Sequence, residues 1–128
     1  GTVKQRERVK NLVVTSGKGY VASRMKDAST SVMSHMAIGT DSTAAAAGNT
    51  ALGSESARVS LTSTTVNNND VVYVATFPAG TTSSAAVITE AAIFNASSSG
   101  TMLCRTVFGS ISKGTSDALT ITWTVTAS

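Results

Sequence analysis

The sequence predicts an all-β fold: an antiparallel β-sandwich, jelly-roll-like, of about seven strands. An extended basic N-terminal arm and one short helix precede the strands. Three observations carry that prediction. Residues 119–126 alternate strictly, with Leu119, Ile121, Trp123 and Val125 on one face and Thr120, Thr122, Thr124 and Thr126 on the other. Period-2 patterning of this kind marks a strand with one buried face. Two further pairs of apolar segments, rich in Val, Ile, Thr and Phe, are each joined by a short polar connector, which is a hairpin signal. Finally, the apolar segments are short and evenly spaced, as in sandwiches and jelly rolls.

The chain of 128 residues fits one domain with a modest core. Charged residues make up only 13%, against about 25% in an ordinary soluble domain. Ser, Thr, Asn, Ala and Gly must therefore cover the surface. Such a surface is weakly solvated and tolerates neighbours, which points to a protein that works inside an assembly. No run approaches the roughly 20 apolar residues that cross a bilayer, so no membrane partner is expected.

Residues 1–26 divide from residues 27–128 by charge. Seven of the ten basic residues lie in the first part, opposed only by Glu7, whereas the second part is net acidic. Lys4, Arg6, Arg8 and Lys10 recur at every second position and share one face of an extended chain. Residues 3–15 are accordingly read as an arm or edge strand. A Lys/Arg-lined edge resists stray pairing, and the same stripe can dock on an acidic protein surface. Nucleic acid ranks below both, because no aromatic residue alternates with the cations to stack bases.

Residues 16–26 have Tyr20, Val21, Arg24 and Met25 at helical spacing, with Ser16 as a candidate N-cap; Gly17 and Gly19 weaken the pattern. Residues 32–39 read as a strand and residues 41–55, with four consecutive alanines, as a long surface loop. Residues 57–66 and 71–79 flank Asn67-Asn68-Asn69-Asp70, a turn sequence, and form one hairpin. Pro78 marks the end of its second strand. Residues 88–94 and 102–108 form the other, joined by residues 95–100. A loop at residues 109–118 leads to the last strand. Trp123, Phe94, Phe108 and Phe77 are the expected core anchors.

The chemistry-bearing residues are sparse. Cys104 stands alone in an apolar strand and reads as a buried hydrophobe. His35, the only histidine, has no clustered ligands, so neither metal nor cofactor is expected. Asn95-Ala96-Ser97 matches a glycosylation sequon, a pattern too short to carry weight. The seven acids form no spaced acid/base pair, and no enzymatic role is expected. Glu90 is the exception to the general blandness, a carboxylate inside an apolar strand that needs a partner. Arg105 on the facing strand is the candidate for a structural ion pair, provided that the register puts both on one face.

Several segments follow one another in a telling order: SHMAIG at 34–39, Thr-Ala-Leu at 50–52, VVYVATFPA at 71–79, ITEAAIF at 88–94, MLCRTVF at 102–108 and LTITWTV at 119–125. Together they resemble the amino-terminal domain of bacteriophage tail-collar fibre proteins and small stand-alone phage virion proteins. The resemblance covers roughly residues 11–128. It departs at Ala92, where the family has Gly. It implies a non-enzymatic virion structural protein. A fibre shaft and receptor-binding tip would follow in a tail-collar fibre, whereas this chain is expected to stop after the domain. The first expectation is therefore a capsid cement or decoration protein on the capsid surface, stabilising the head by binding capsomer junctions, with the major capsid protein or other virion proteins as partners. It would be a homo-oligomer, with a trimer favoured. A tail, collar or baseplate component is the alternative.

Overall fold

The computed structural model describes residues 12–81 and 86–126. Eight strands and one helix run in the order β1 (Leu12–Val13), α1 (Thr15–Lys26), β2 (His35–Gly39), β3 (Glu55–Ser60), β4 (Ser63–Asn67), β5 (Asp70–Phe77), β6 (Ala86–Phe94), β7 (Met102–Lys113) and β8 (Leu119–Thr126). They form two antiparallel sheets, one of five strands ordered β1-β7-β6-β2-β3 and one of three ordered β4-β5-β8.

The main core cluster draws on both sheets. Tyr73, Ala75 and Phe77 of β5 and Leu119, Ile121 and Trp123 of β8 are buried with Met36, Ile38, Ala91, Ile93 and Cys104 of the larger sheet. The alternation legible in β8 thus puts its apolar face inward. Trp123 stands opposite Tyr73 across the β5–β8 ladder and is 3% exposed. Its indole Nε1 has no hydrogen-bond partner among the described residues. Burial raises the Tyr73 phenol to about 12, with smaller contributions from Cys104 and Tyr20. Phe77 and Phe94 are buried as expected. Phe108 is not a core anchor: it is half-buried and packs against the cluster from its margin.

Three further expectations are corrected. Residues 57–66 are not one strand. The chain leaves the first sheet after Ser60 and enters the second at Ser63, with Leu61 N–H donating to Ser34 O and Thr62 N–H to Val74 O. Residues 109–113 are not loop. β7 continues to Lys113 because Ile111, Ser112 and Lys113 pair with Ile88, Val87 and Ala86, the irregularity at Phe108–Ser110 opposite Thr89 being absorbed as a bulge. The first strand of residues 32–39 starts only at His35.

The short helix forms, but Ser16 does not cap it. Val14 occupies the N-cap position without a side-chain cap, and the Ser16 hydroxyl donates to Met102 O of β7 at 3.0 Å. Gly17 is what lets the helix approach, since a Cβ there would collide with the Leu103 backbone. A helix-weakening residue is thus retained for packing. Leu12 and Val13 pair with Arg105 and Cys104, and Tyr20 packs on the main core. The described part of residues 1–26 therefore shares its sheet and core with the rest.

Removing the indole leaves a large void among ordered neighbours. Trp123→Ala is expected to cost roughly 3–5 kcal/mol, read as a lower denaturant midpoint in urea unfolding; an unchanged midpoint would contradict its burial.

Candidate functional site

The outer face of the five-stranded sheet carries the protein's polar centre. Register places Arg58, Ala37, Ala92 and Arg105 in one row across β3, β2, β6 and β7, and Glu55, Gly39, Glu90 and Val107 in the next. Glu90 and Arg105 are thus diagonal neighbours on one face, within reach of long side chains. Ala37, Gly39 and Ala92 are small, which leaves a trough above the middle strands. Residues 40–54, the connection between β2 and β3, fold back into that trough. Leu52 joins Val14, Ala37, Ala92, Phe94 and Met102 in a second buried cluster.

Glu90 and Arg105 meet in this trough, 0% and 2% exposed. Arg105 donates to Glu90 Oε1 from Nε at 3.1 Å and from Nη2 at 2.9 Å. Glu90 also accepts three backbone N–H groups of the loop: Gly53 on Oε1 at 3.0 Å, and Asp41 at 3.1 Å and Ser54 at 2.8 Å on Oε2. Arg105 reaches the loop as well, donating to Thr43 O at 3.0 Å and Asn49 Oδ1 at 3.2 Å. A second carboxylate, Asp41, lies 3.7 Å from Nη2. Its pKa is lowered, first by the Thr43 N–H and hydroxyl bonded to it and, less, by the Arg105 charge, with burial opposing.

Buried charge is tolerable only when its hydrogen-bonding capacity is filled. Here five donors converge on one carboxylate, and three belong to the loop backbone. The pair therefore fixes the path of residues 40–54. Two glycines make the fit possible. A Cβ on Gly39 would collide with the Glu90 carboxylate and Ser54 O, and one on Gly53 with the Asp41 carboxylate. The neck of the loop closes through Thr40 N–H to Ser54 O at 3.0 Å, and Ala47 O near its tip accepts Thr15 N–H at 2.8 Å.

A second clamp lies beside the first. Arg58 holds Glu55 by a two-point ion pair at 2.8 and 3.0 Å, stacks 3.8 Å above the Phe94 ring, and donates to Ala96 O and Ser99 O. It ties the β6–β7 connection to β3. Lys113, fully buried, donates to Pro78 O and Asp117 O and joins the two loops at the other end of the sheet.

The remaining candidates have structural surroundings. Cys104 is buried and its thiol is pushed well up by desolvation, away from thiolate chemistry. His35 bonds Ser34 and Ser60 through its two ring nitrogens. Asn95 of the sequon accepts Thr101 N–H at 2.8 Å and contacts Ser31 O, so its amide is engaged in the loop. Lys4, Arg6, Arg8 and Lys10 lie outside the described residues. Among the described residues no three His, Cys, Asp or Glu side chains group as metal ligands, and no helix is long and apolar enough to cross a membrane. Glu90 and Arg105 were signalled by charge in apolar strands. The loop donors, the Arg58 clamp and buried Lys113 carried no such signal, apart from the glycines at 39 and 53.

No protein-family model matches the chain, and no curated protein or solved structure matches it.

Glu90→Gln removes the counter-charge of a buried guanidinium and is expected to cost about 3–5 kcal/mol. The same variant is expected to open residues 40–54 to limited proteolysis under native conditions, and uncut loop would argue against the latch. Asp41 adds a pH dependence. Its depressed pKa stabilises the fold above the ordinary carboxylate range near pH 4, and the contribution is lost as pH falls through the folded value. Asp41→Asn is therefore expected to flatten the acid limb of a stability–pH curve.

Proposed function

We propose that this chain is a non-enzymatic bacteriophage virion structural protein, a capsid cement or decoration protein that stabilises the head by binding capsomer junctions. In this reading its two sheets close as a β-sandwich of jelly-roll type, and the chain acts as a homo-oligomer against the major capsid protein or other virion proteins. One observation carries the proposal. The segments that resemble phage tail-collar fibre domains are the strands and joints that build the fold. Residues 34–39 contain β2, 71–79 cover most of β5, 88–94 and 102–108 cover the part of the β6–β7 pair next to its connection, and 119–125 cover most of β8. Residues 50–52 place Leu52 of the loop in the second buried cluster. The likeness thus falls on interior positions as well as on turns. Glu90, the carboxylate best placed for chemistry, has its oxygens occupied by Arg105 and the loop backbone, which supports a structural role.

The tail, collar or baseplate reading rests on the same segments. Copy number separates the two. Hundreds of copies per particle, by quantitative proteomics or immunogold labelling, fit the shell; a few to a few dozen fit the tail.

Attachment would combine apolar burial with orientation by charge from the arm. Neutralising Lys4, Arg6, Arg8 and Lys10 together is expected to weaken binding to stripped particles while the melting temperature of the isolated protein stays within a degree or so. Full attachment of that variant at low salt would remove the arm from the interface.

A further inference from the structure

We propose that the open edge of β7 is the seat of the chain's own N-terminal segment: residues 9–11 continue β1 along it, antiparallel, with Asn11 opposite Thr106, Lys10 opposite Val107 and Val9 opposite Phe108. The sequence admits either an arm or an edge strand for residues 3–15, and the geometry of β7 selects the strand and its register. β7 runs from Met102 to Lys113 and pairs with β6 along one side. On its other side stands β1, which meets Cys104 and Arg105. From Val107 to Lys113 that side carries no strand among the described residues. Such an edge offers N–H and C=O groups whose natural occupant is another extended backbone.

Continuity chooses the occupant. Leu12 and Val13 already lie on this edge, antiparallel to β7. An extended backbone traced back from Leu12 arrives opposite Thr106 and then Val107. No Gly or Pro stands between Thr2 and Ser16 to turn it aside. A second copy or another protein would have to displace a segment that is tethered next to its seat, at an effective concentration that a separate chain does not reach.

The faces agree with this register. Residues directly opposite each other in an antiparallel ladder share a face. Val13 and Cys104 both pack in the main core, so Leu12 and Arg105 share the outer face. Alternation then sets Val9 beside Phe108, at the margin of the core cluster, and Lys10 beside Val107 on the outer face. Arg8, Arg6 and Lys4 share the parity of Lys10. An outer strand lined with cations makes a poor template for a further chain, so the stripe closes the sheet. The bulge at Phe108–Ser110 ends the regular ladder, which is why pairing stops at Val9. Backbone groups make the contact, so the cations stay available to a partner, and the inference does not rest on the virion reading.

Hydrogen-bonded pairs fall at every second residue of such a ladder. Val14 N–H donates to Leu103 O at 3.2 Å, so Leu12–Arg105 and then Lys10–Val107 are the next such pairs. Val107 N–H is thereby assigned to Lys10 O.

Residue-resolved amide exchange of the full chain tests this, with the Ile121 amide of β8 as the reference for opening of the whole molecule. Val107 N–H is expected to be protected. Lys10→Pro, which deletes that residue's N–H and sets a ring against the ladder, is expected to speed Val107 exchange about tenfold or more relative to Ile121. Rapid exchange of Val107 in the unaltered chain, or indifference to Lys10→Pro, would overturn the pairing. A disulfide gives a second readout. Val9 and Phe108 form a non-hydrogen-bonded pair, with Cα atoms about 4.5 Å apart, within disulfide span. Val9→Cys with Phe108→Cys is expected to close within one chain on mild oxidation, since Cys104 is buried, and Arg8→Cys with Phe108→Cys is not. No disulfide, equal closure with Arg8→Cys, or a disulfide that joins two chains would each overturn the proposal, the last by giving the edge to the arm of a second copy.

Discussion

Five hydrogen bonds to one carboxylate determine how the larger sheet is finished. Glu90 sits on the outer face of the sheet, where an ordinary two-layer arrangement would leave side chains in solvent. Arg105 neutralises it through Oε1, the Gly53 N–H shares that oxygen, and the Asp41 and Ser54 N–H groups fill Oε2. The desolvation cost of such a pair is several kcal/mol per ion and is offset only by complete hydrogen bonding. Completeness here requires the loop. The loop in turn requires Gly39 and Gly53, and the small side chains of Ala37 and Ala92, to come close enough. Remove any part and a buried charge or backbone amide loses its partner.

The two faces of this sheet therefore differ in kind. The inner face contributes to a hydrophobic cluster that includes residues of the three-stranded sheet, held by non-directional burial that tolerates conservative exchange. The outer face is a directional network of charged and backbone groups. Arg58 extends the same logic to the β6–β7 connection, and Lys113 does so at the far end with two carbonyls. Three cations thus fasten four connections, in a chain with few charges overall.

Much of this was legible in the residues, for physical reasons. Strict alternation in residues 119–126 admits one strand orientation, and β8 follows it. Glu90 in an apolar run had to find a cation, and the length of the 95–101 connection brought Arg105 within a diagonal of it. What was not legible depends on groups that side-chain identity does not encode. Backbone N–H donors look alike at every residue, so the role of Asp41, Gly53 and Ser54 is invisible in sequence. The sheet switch at Leu61-Thr62 lacks the Gly or Pro that usually announces a break. β7 outran its expected end because Gly109 and Ser110 mimic a turn while pairing resumes at Ile111. Gly17 was read as a local weakness, yet its value lies in a backbone far away in sequence.

Glu90 grips main-chain amides, and Arg105 takes one carbonyl and the Asn49 side chain. The exposed side chains between the neck and tip of residues 40–54 contribute little to holding that shape. Their identities are open to drift, or to deliberate randomisation, under an unchanged backbone trace. A library varied at Ser42, Ala44, Thr50 and Ala51 would thus present diverse surfaces on one rigid frame, much as a hypervariable loop does on its scaffold.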